Sequence, residues 1–147
     1  MEVQMSTERI KSRYLQWIDE LWHADPQKME GFTEQIAAPD FIGHWPGSEV
    51  HGPVQLAEMV RKGVSLFSEH RVEVVVGPIV EKDLVSARWI FRGKYNGELP
   101  GSPAEPGTEV SFAGMDIFRY RDGKFTEYWV SSDGLQFMEQ LGFAPKP

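Results

Sequence analysis

The sequence predicts an α+β fold: three helices in the first half of the chain, then a curved, mostly antiparallel sheet wrapped around them. Three observations carry that expectation. Apolar residues recur at helical spacing through residues 10–36 and again over 56–67. From residue 71 onward they alternate with more polar neighbours at a period of two. Asp122-Gly123, a pair that tolerates positive φ, joins two of these alternating runs in a tight hairpin.

In chain order, Ser6 or Thr7 is expected to cap a first helix whose stripe is Ile10, Tyr14, Trp17, Ile18, Leu21 and Trp22. Three large aromatics on that stripe suit a core face or the wall of a ligand pocket. Asp25-Pro26 ends this helix and opens a second, with Met29, Phe32 and Ile36 on its apolar side and residues 37–40 closing it. Residues 41–45 read as a short strand that leads into a turn-rich stretch, 46–52. Pro53 starts a third helix with Leu56, Met59, Val60, Val64 and Phe67 facing inward. Strands follow at 71–80 and 84–95, separated by Glu81-Lys82-Asp83.

Residues 96–109 hold three prolines and three glycines, so this stretch is expected to be a loop bordering a pocket mouth. The hairpin of residues 110–133 comes next. Asp133 has capping-box spacing to Gln136 and starts a last helix, with Leu135, Met138 and Leu141 on its stripe and Gly142 at its end.

Composition narrows the function. With 147 residues, 41% of them hydrophobic and 12% aromatic, the chain is expected to form one domain over 1–147 with a substantial core. The absence of cysteine leaves no disulfide framework or thiolate chemistry and suits a cytoplasmic protein. No leader-like or membrane-spanning run is present. A net charge of −7 with scattered basic residues argues against nucleic acid and membrane partners. His23, His44, His51 and His70 share no metal-ligand spacing, and nucleotide and dinucleotide fingerprints are missing, so no metal or cofactor is expected.

Asp116 stands out. It shares a strand face with Phe112, Gly114 and Phe118, a face expected to be buried. A carboxylate taken out of water must find a partner, become protonated or serve chemistry. Arg88 is a candidate partner, and an exposed edge-strand position is the plainer alternative. With His44 beside Trp45, the phenol of Tyr128 and several apolar walls, the set suits proton transfer on a hydrophobic organic substrate.

The element order, together with PDFIGHWPG…HGP, the loop beginning GELPGSP and GMDIFRYRDGKFTEYW…DGL…QLG, resembles the SnoaL-like polyketide cyclases. That family belongs to the nuclear transport factor 2-like superfamily, with ketosteroid isomerases and limonene epoxide hydrolases. The resemblance covers nearly the whole chain and implies a cone-shaped, ketosteroid-isomerase-like α+β barrel. It places Asp116 where the cyclases have an active-site histidine, and where ketosteroid isomerases have a protonated aspartic acid. Tyr128 falls on another polar pocket position. Val130 falls on the aspartate that serves the cyclases as acid/base, and a valine cannot move a proton.

These readings make Asp116, His44 and Tyr128 the catalytic candidates, with Asp116 as acid or hydrogen-bond donor and His44 as base. Tyr14, Trp17, Trp45, Trp89, Phe91, Phe112, Phe118 and Val130 are expected to contact substrate. The expected function is cofactor-free acid/base chemistry, of cyclase or isomerase type, on a hydrophobic carbonyl-bearing molecule. The alternative is a non-catalytic module that binds a hydrophobic ligand in the same cone. The resemblance also implies a homodimer formed through the outer sheet face, where Ser111, Ala113, Met115, Ile117, Glu127, Trp129 and Ser131 are expected.

Overall fold

The structure, a computed structural model, describes residues 2–143, with side chains from Ser6 onward. The first helix, α1 (Glu2–Leu15), starts before Ser6 and Thr7, so neither residue caps it. The same rod continues through a π turn at Gln16–Glu20 and a 3-10 turn at Leu21–His23. Asp25 accepts a hydrogen bond from Gln27 N at 3.0 Å, and Pro26 opens the next helical turn as its fixed φ favours. Helix α2 (Met29–Ile36) buries Met29, Thr33 and Ile36.

Strand β1 (Ala37–Trp45) begins directly after α2, so residues 37–40 extend a strand where a helix end was expected. The pairing of β1 slips between Ala37 and Ile42, and this irregularity accommodates Pro39, which has no N–H to give a ladder. The stretch expected to be all turn contains β2 (Ser48–His51), which folds back on β1 through Gly47 at φ 75°. Helix α3 spans Gly52–Val64, and Phe67 lies beyond it in β3 (Phe67–Glu81). The remaining elements are β4 (Leu84–Tyr95), β5 (Glu109–Arg121), β6 (Lys124–Ser132) and α4 (Gly134–Gln140). No described helix is long and apolar enough to cross a membrane.

The six strands form one sheet in the order β2-β1-β6-β5-β4-β3. Every neighbouring pair is antiparallel except β1 with β6. Asp122 (φ 52°) and Gly123 (φ 87°) make the β5–β6 turn, as the sequence predicts. In β3 the alternation breaks: Val72 is buried, but extra residues near Val74 and Val76 shift the register and leave Val76 exposed.

One face of the sheet packs on the helices. Phe118 occupies the centre of that core, 5.1 Å from the Trp17 ring, 4.3 Å from Tyr128 and 4.0 Å from Phe125. Burying side chains of this size contributes about 1.5–3 kcal/mol each, which holds the helical layer firmly on the sheet. A smaller cluster of Tyr95, Val110 and Leu141 receives Leu99, Ala104 and Phe143. It anchors the 96–108 loop beside the end of α4. Asp133 caps α4 by accepting from Gln136 N at 2.9 Å. The helix turns Phe137 and Leu141 inward and leaves Leu135 and Met138 exposed, a rotation from the expected stripe.

Candidate active site

Strand alternation places Asp116 on the inner face, where it is 2% exposed. Three donors from three elements reach it. The Tyr14 hydroxyl, from α1, donates to Oδ1 at 2.7 Å. The Tyr128 hydroxyl, from β6, donates to Oδ2 at 2.9 Å, and Trp17 Nε1 donates to the same oxygen at 3.3 Å. Tyr14 and Trp17 stand three residues apart on the helical rod and so point the same way. No cation bonds to the carboxyl among the described residues, and Arg88 is exposed on the opposite face. The arginine pairing is therefore not formed.

Burial pushes the Asp116 pKa up to about 6 against the pull of its donors, of which Tyr14 lowers it most, followed by Tyr128, Trp17 and Trp89. Burial likewise drives both phenols above their ordinary value, and the neighbouring carboxylate adds to this, so Tyr14 and Tyr128 remain neutral donors. An ionised carboxylate offers about four lone-pair sites. Three are taken, and the fourth lies on Oδ1.

Asp116 lies in the wall of a cavity of about 360 Å³. Trp17, Trp45, Trp89, Phe91, Phe112, Tyr128 and Val130 line it. Tyr14 and Phe118 do not. Both are fully buried behind the wall, Tyr14 as a donor to Asp116 and Phe118 as core. The sequence reading did not assign Trp22, Lys62, Gly63, Leu66, Phe67, Phe137 and Ser132 to the lining. Trp22 carried a signal, being on the first aromatic stripe; Lys62 and Ser132 carried none. The 96–109 loop is absent from the lining because it is anchored on the smaller cluster instead.

His44 is not brought to this cavity. Its neighbour Gly43 pairs with the inward Tyr128, so His44 pairs with Trp129 on the outer face. There its Nε2 bonds Glu127 Oε2 at 2.8 Å, and its ring stacks on Trp129 with centroids 5.7 Å apart. The sequence reading had the strand but not its parity. The described residues contain no metal-ligating cluster of three or more His, Asp or Glu side chains.

Glycines shape the inner wall. A Cβ on Gly114 would stand 2.4 Å from Trp89 Cη2, so only glycine lets the indole lie against β5. Trp89 Nε1 is buried and makes no hydrogen bond of full geometry, although it lies near enough to Asp116 to add to the donors that lower that acid's pKa.

Helices on a six-stranded sheet, with an acid set in an apolar pocket between them, form a nuclear transport factor 2-like fold. Residues 12–141 match the SnoaL-like polyketide cyclase family, and the chain belongs to it. The structure is similar to AclR, a candidate hydroxylase of Streptomyces galilaeus, at 25% identity and a TM-score of 0.74, covering 95% of this chain and 98% of that one. It is similar to a candidate SnoaL-like polyketide cyclase of Jannaschia sp. CCS1, at 23% identity and a TM-score of 0.79, over 94% of each chain. TsrD of Streptomyces laurentii is 26% identical with a TM-score of 0.70, over 94% of this chain and 96% of its own. No curated protein matches the sequence.

Proposed function

We propose that this chain is a cofactor-free acid/base enzyme, of cyclase or isomerase type, that moves a proton on a hydrophobic carbonyl-bearing substrate. Asp116 carries the reading: a buried carboxyl in the wall of an apolar cavity, held by neutral donors alone. A proton-transfer group works best with a pKa near the working pH, and burial brings Asp116 to about 6. At neutral pH it is ionised, and its free Oδ1 site can take a proton from a carbon acidified by conjugation with a substrate carbonyl. The protonated acid needs its donors less. The Tyr128 hydroxyl, in the same wall, is then free to turn toward the oxygen that gains charge. Tyr14 acts as a positioning residue.

Val130 is the direct cross-strand partner of Asp116, so the acid is presented from β5, one strand from where the cyclases carry theirs. That displacement supports general proton transfer rather than the aldol cyclisation itself. One such scaffold hosts many chemistries, and the similar structures include both a candidate hydroxylase and a candidate cyclase.

The outward turn of His44 favours a second reading, a non-catalytic module that binds a hydrophobic ligand, because the cavity lining then includes no histidine. Anthrone, a planar tricyclic ketone with an acidic CH₂ at C10, separates the two. In D₂O without oxygen, the wild-type protein is expected to speed deuterium uptake at C10, and Asp116→Asn to return it to the uncatalysed rate. Binding of anthrone by the wild type without faster uptake assigns the module.

The reading includes a homodimer through the outer sheet face. Met115 (51% exposed) and Ile117 (40%) stand there beside Trp129, and covering such area gains about 25 cal/mol per Å².

A further inference from the structure

The end of the first helical rod is tied to the sheet by two histidines that take no part in the proton transfer. β3 is an edge strand, and its Val72 N–H donates to His23 Nε2 at 3.2 Å. A backbone N–H can only donate, so Nε2 must accept and carries no proton. The other ring nitrogen, Nδ1, lies 3.1 Å from Asp19 O, which can only accept, so the proton sits there. Two backbone groups thus fix His23 in one neutral tautomer. The His70 ring, from β3, stacks on it with centroids 5.5 Å apart at 5°, and His70 Nε2 donates to Trp22 O. His70 also lies parallel to Phe91 at 5.9 Å. Trp22, Val72 and Phe91 all line the cavity, so the two imidazoles hold part of its wall.

We propose that neutral His23 is a positioning residue for the Trp22 side of the cavity, and that its protonation releases this wall and weakens ligand binding. A protonated His23 turns a donor toward the Val72 donor, so that bond cannot survive. His23 is exposed and takes its proton directly from solvent. His70 behaves differently. Nothing bonds its Nδ1 among the described residues, so it can charge there and keep Trp22 O. Two charged rings stacked at 5.5 Å repel, which adds to the release. Of the charges around the pair, Glu73 is held by Arg92 at 3.4 Å and Arg71 at 4.0 Å, and Glu69 by Lys94 at 3.4 Å. Asp19 on the rod and Glu109 on β5 are in no ion pair among the described residues, so carboxylates flank the rings on both sides. On the Trp22 side, α3 brings Lys62, while its Arg61 is tied to Glu30 of α2 at 3.9 Å. The inference rests on the cavity being the ligand site, but not on Asp116 performing chemistry there.

Anthrone binding without oxygen, followed by tryptophan fluorescence in Asp116→Asn, tests it free of that acid's own titration. Between pH 7.5 and 5.5, within the range where histidine changes charge, affinity is expected to fall about fivefold. His23→Gln, added to Asp116→Asn, offers Val72 an amide oxygen that does not titrate, and should hold its affinity level across that range. In the wild-type protein, long-range ¹⁵N NMR should show Nδ1 of His23 protonated and Nε2 bare at pH 7.5. The Val72 amide should exchange faster as that ring charges. The opposite tautomer, an affinity unmoved by pH, or an equal loss with His23→Gln overturns the proposal. Acid-sensitive binding without deuterium uptake at C10 in the wild type upholds the inference while rejecting proton transfer. Uptake together with pH-independent binding does the reverse, and anthrone that fails to bind at pH 7.5 overturns both.

Discussion

Tyr14 and Asp116 share a 2.7 Å hydrogen bond although 102 positions separate them in the chain. The bond ties α1 to β5 and gives Asp116 the strongest of the pulls that oppose burial. Tyr14→Phe removes it without changing the shape of the ring. The Asp116 carboxyl should then titrate above 6, as followed by its ¹³C resonance. Urea denaturation above that pH should show a loss of about 1.5–3 kcal/mol, typical of a hydrogen bond to a charged group. An unmoved titration would mean that the bond does not act on the acid.

The sign of the pH dependence follows from the raised pKa. Folded Asp116 holds its proton more tightly than the unfolded chain does, with pKa values of about 6 and 3.8. Its contribution to stability is therefore complete below about pH 4 and lost as pH rises through 6. Relative to Asp116→Asn, wild-type stability should fall by about 3 kcal/mol across that window. Denaturation of both proteins at four pH values checks this. A difference that grows with pH would place the folded pKa below the unfolded one. Turnover should run the opposite way, rising with pH to half its plateau near 6, because the base form does the work.

Gly114→Ala should damage the cavity. The new Cβ would stand 2.4 Å from Trp89 Cη2, and β5 leaves the indole no room to back away. Overpacking of this kind costs about 1–3 kcal/mol. Near-ultraviolet circular dichroism should report a displaced indole, and anthrone binding should weaken. Wild-type binding in this variant would show that the wall yields easily.

Trp129→Glu tests the pairing of two copies. Trp129 lies on the outer face with the His44 ring 5.7 Å to one side and Arg119 5.8 Å from its centroid. A glutamate there brings a charge into the proposed interface. Sedimentation should show a dimer for the wild type and a shift to monomer for the variant. A monomeric wild-type protein at micromolar concentration removes the dimer.

The parts of this structure legible in the sequence are those set by local repetition. Period-two spacing identified β4 to β6 and put Asp116 on the inner face. Helical spacing gathered Tyr14, Trp17 and Trp22 on one stripe. The errors lie where distant pairing decides. Residues 37–40 looked like a helix end because proline there is a local signal, whereas the strand is imposed by β6, far along the chain. The same parallel pairing fixes which way His44 turns. Tyr14 was expected to touch substrate because its stripe faces the core, but only the folded depth of that core shows it standing behind Asp116.

The alternation that separates Asp116 from Met115 and Ile117 also governs how the gene can change length. One residue inserted between Gly114 and Asp116 would turn the carboxyl to the outer face and bring an outer residue into the cavity. Every downstream position of β5 would change sides with it. An insertion at Asp122-Gly123 has no such effect, since both strands can keep their register and only the turn grows. Descendants of this sequence should therefore vary in length at the hairpin tips and keep an unbroken count through the strands, with or without any pressure on the side chains themselves.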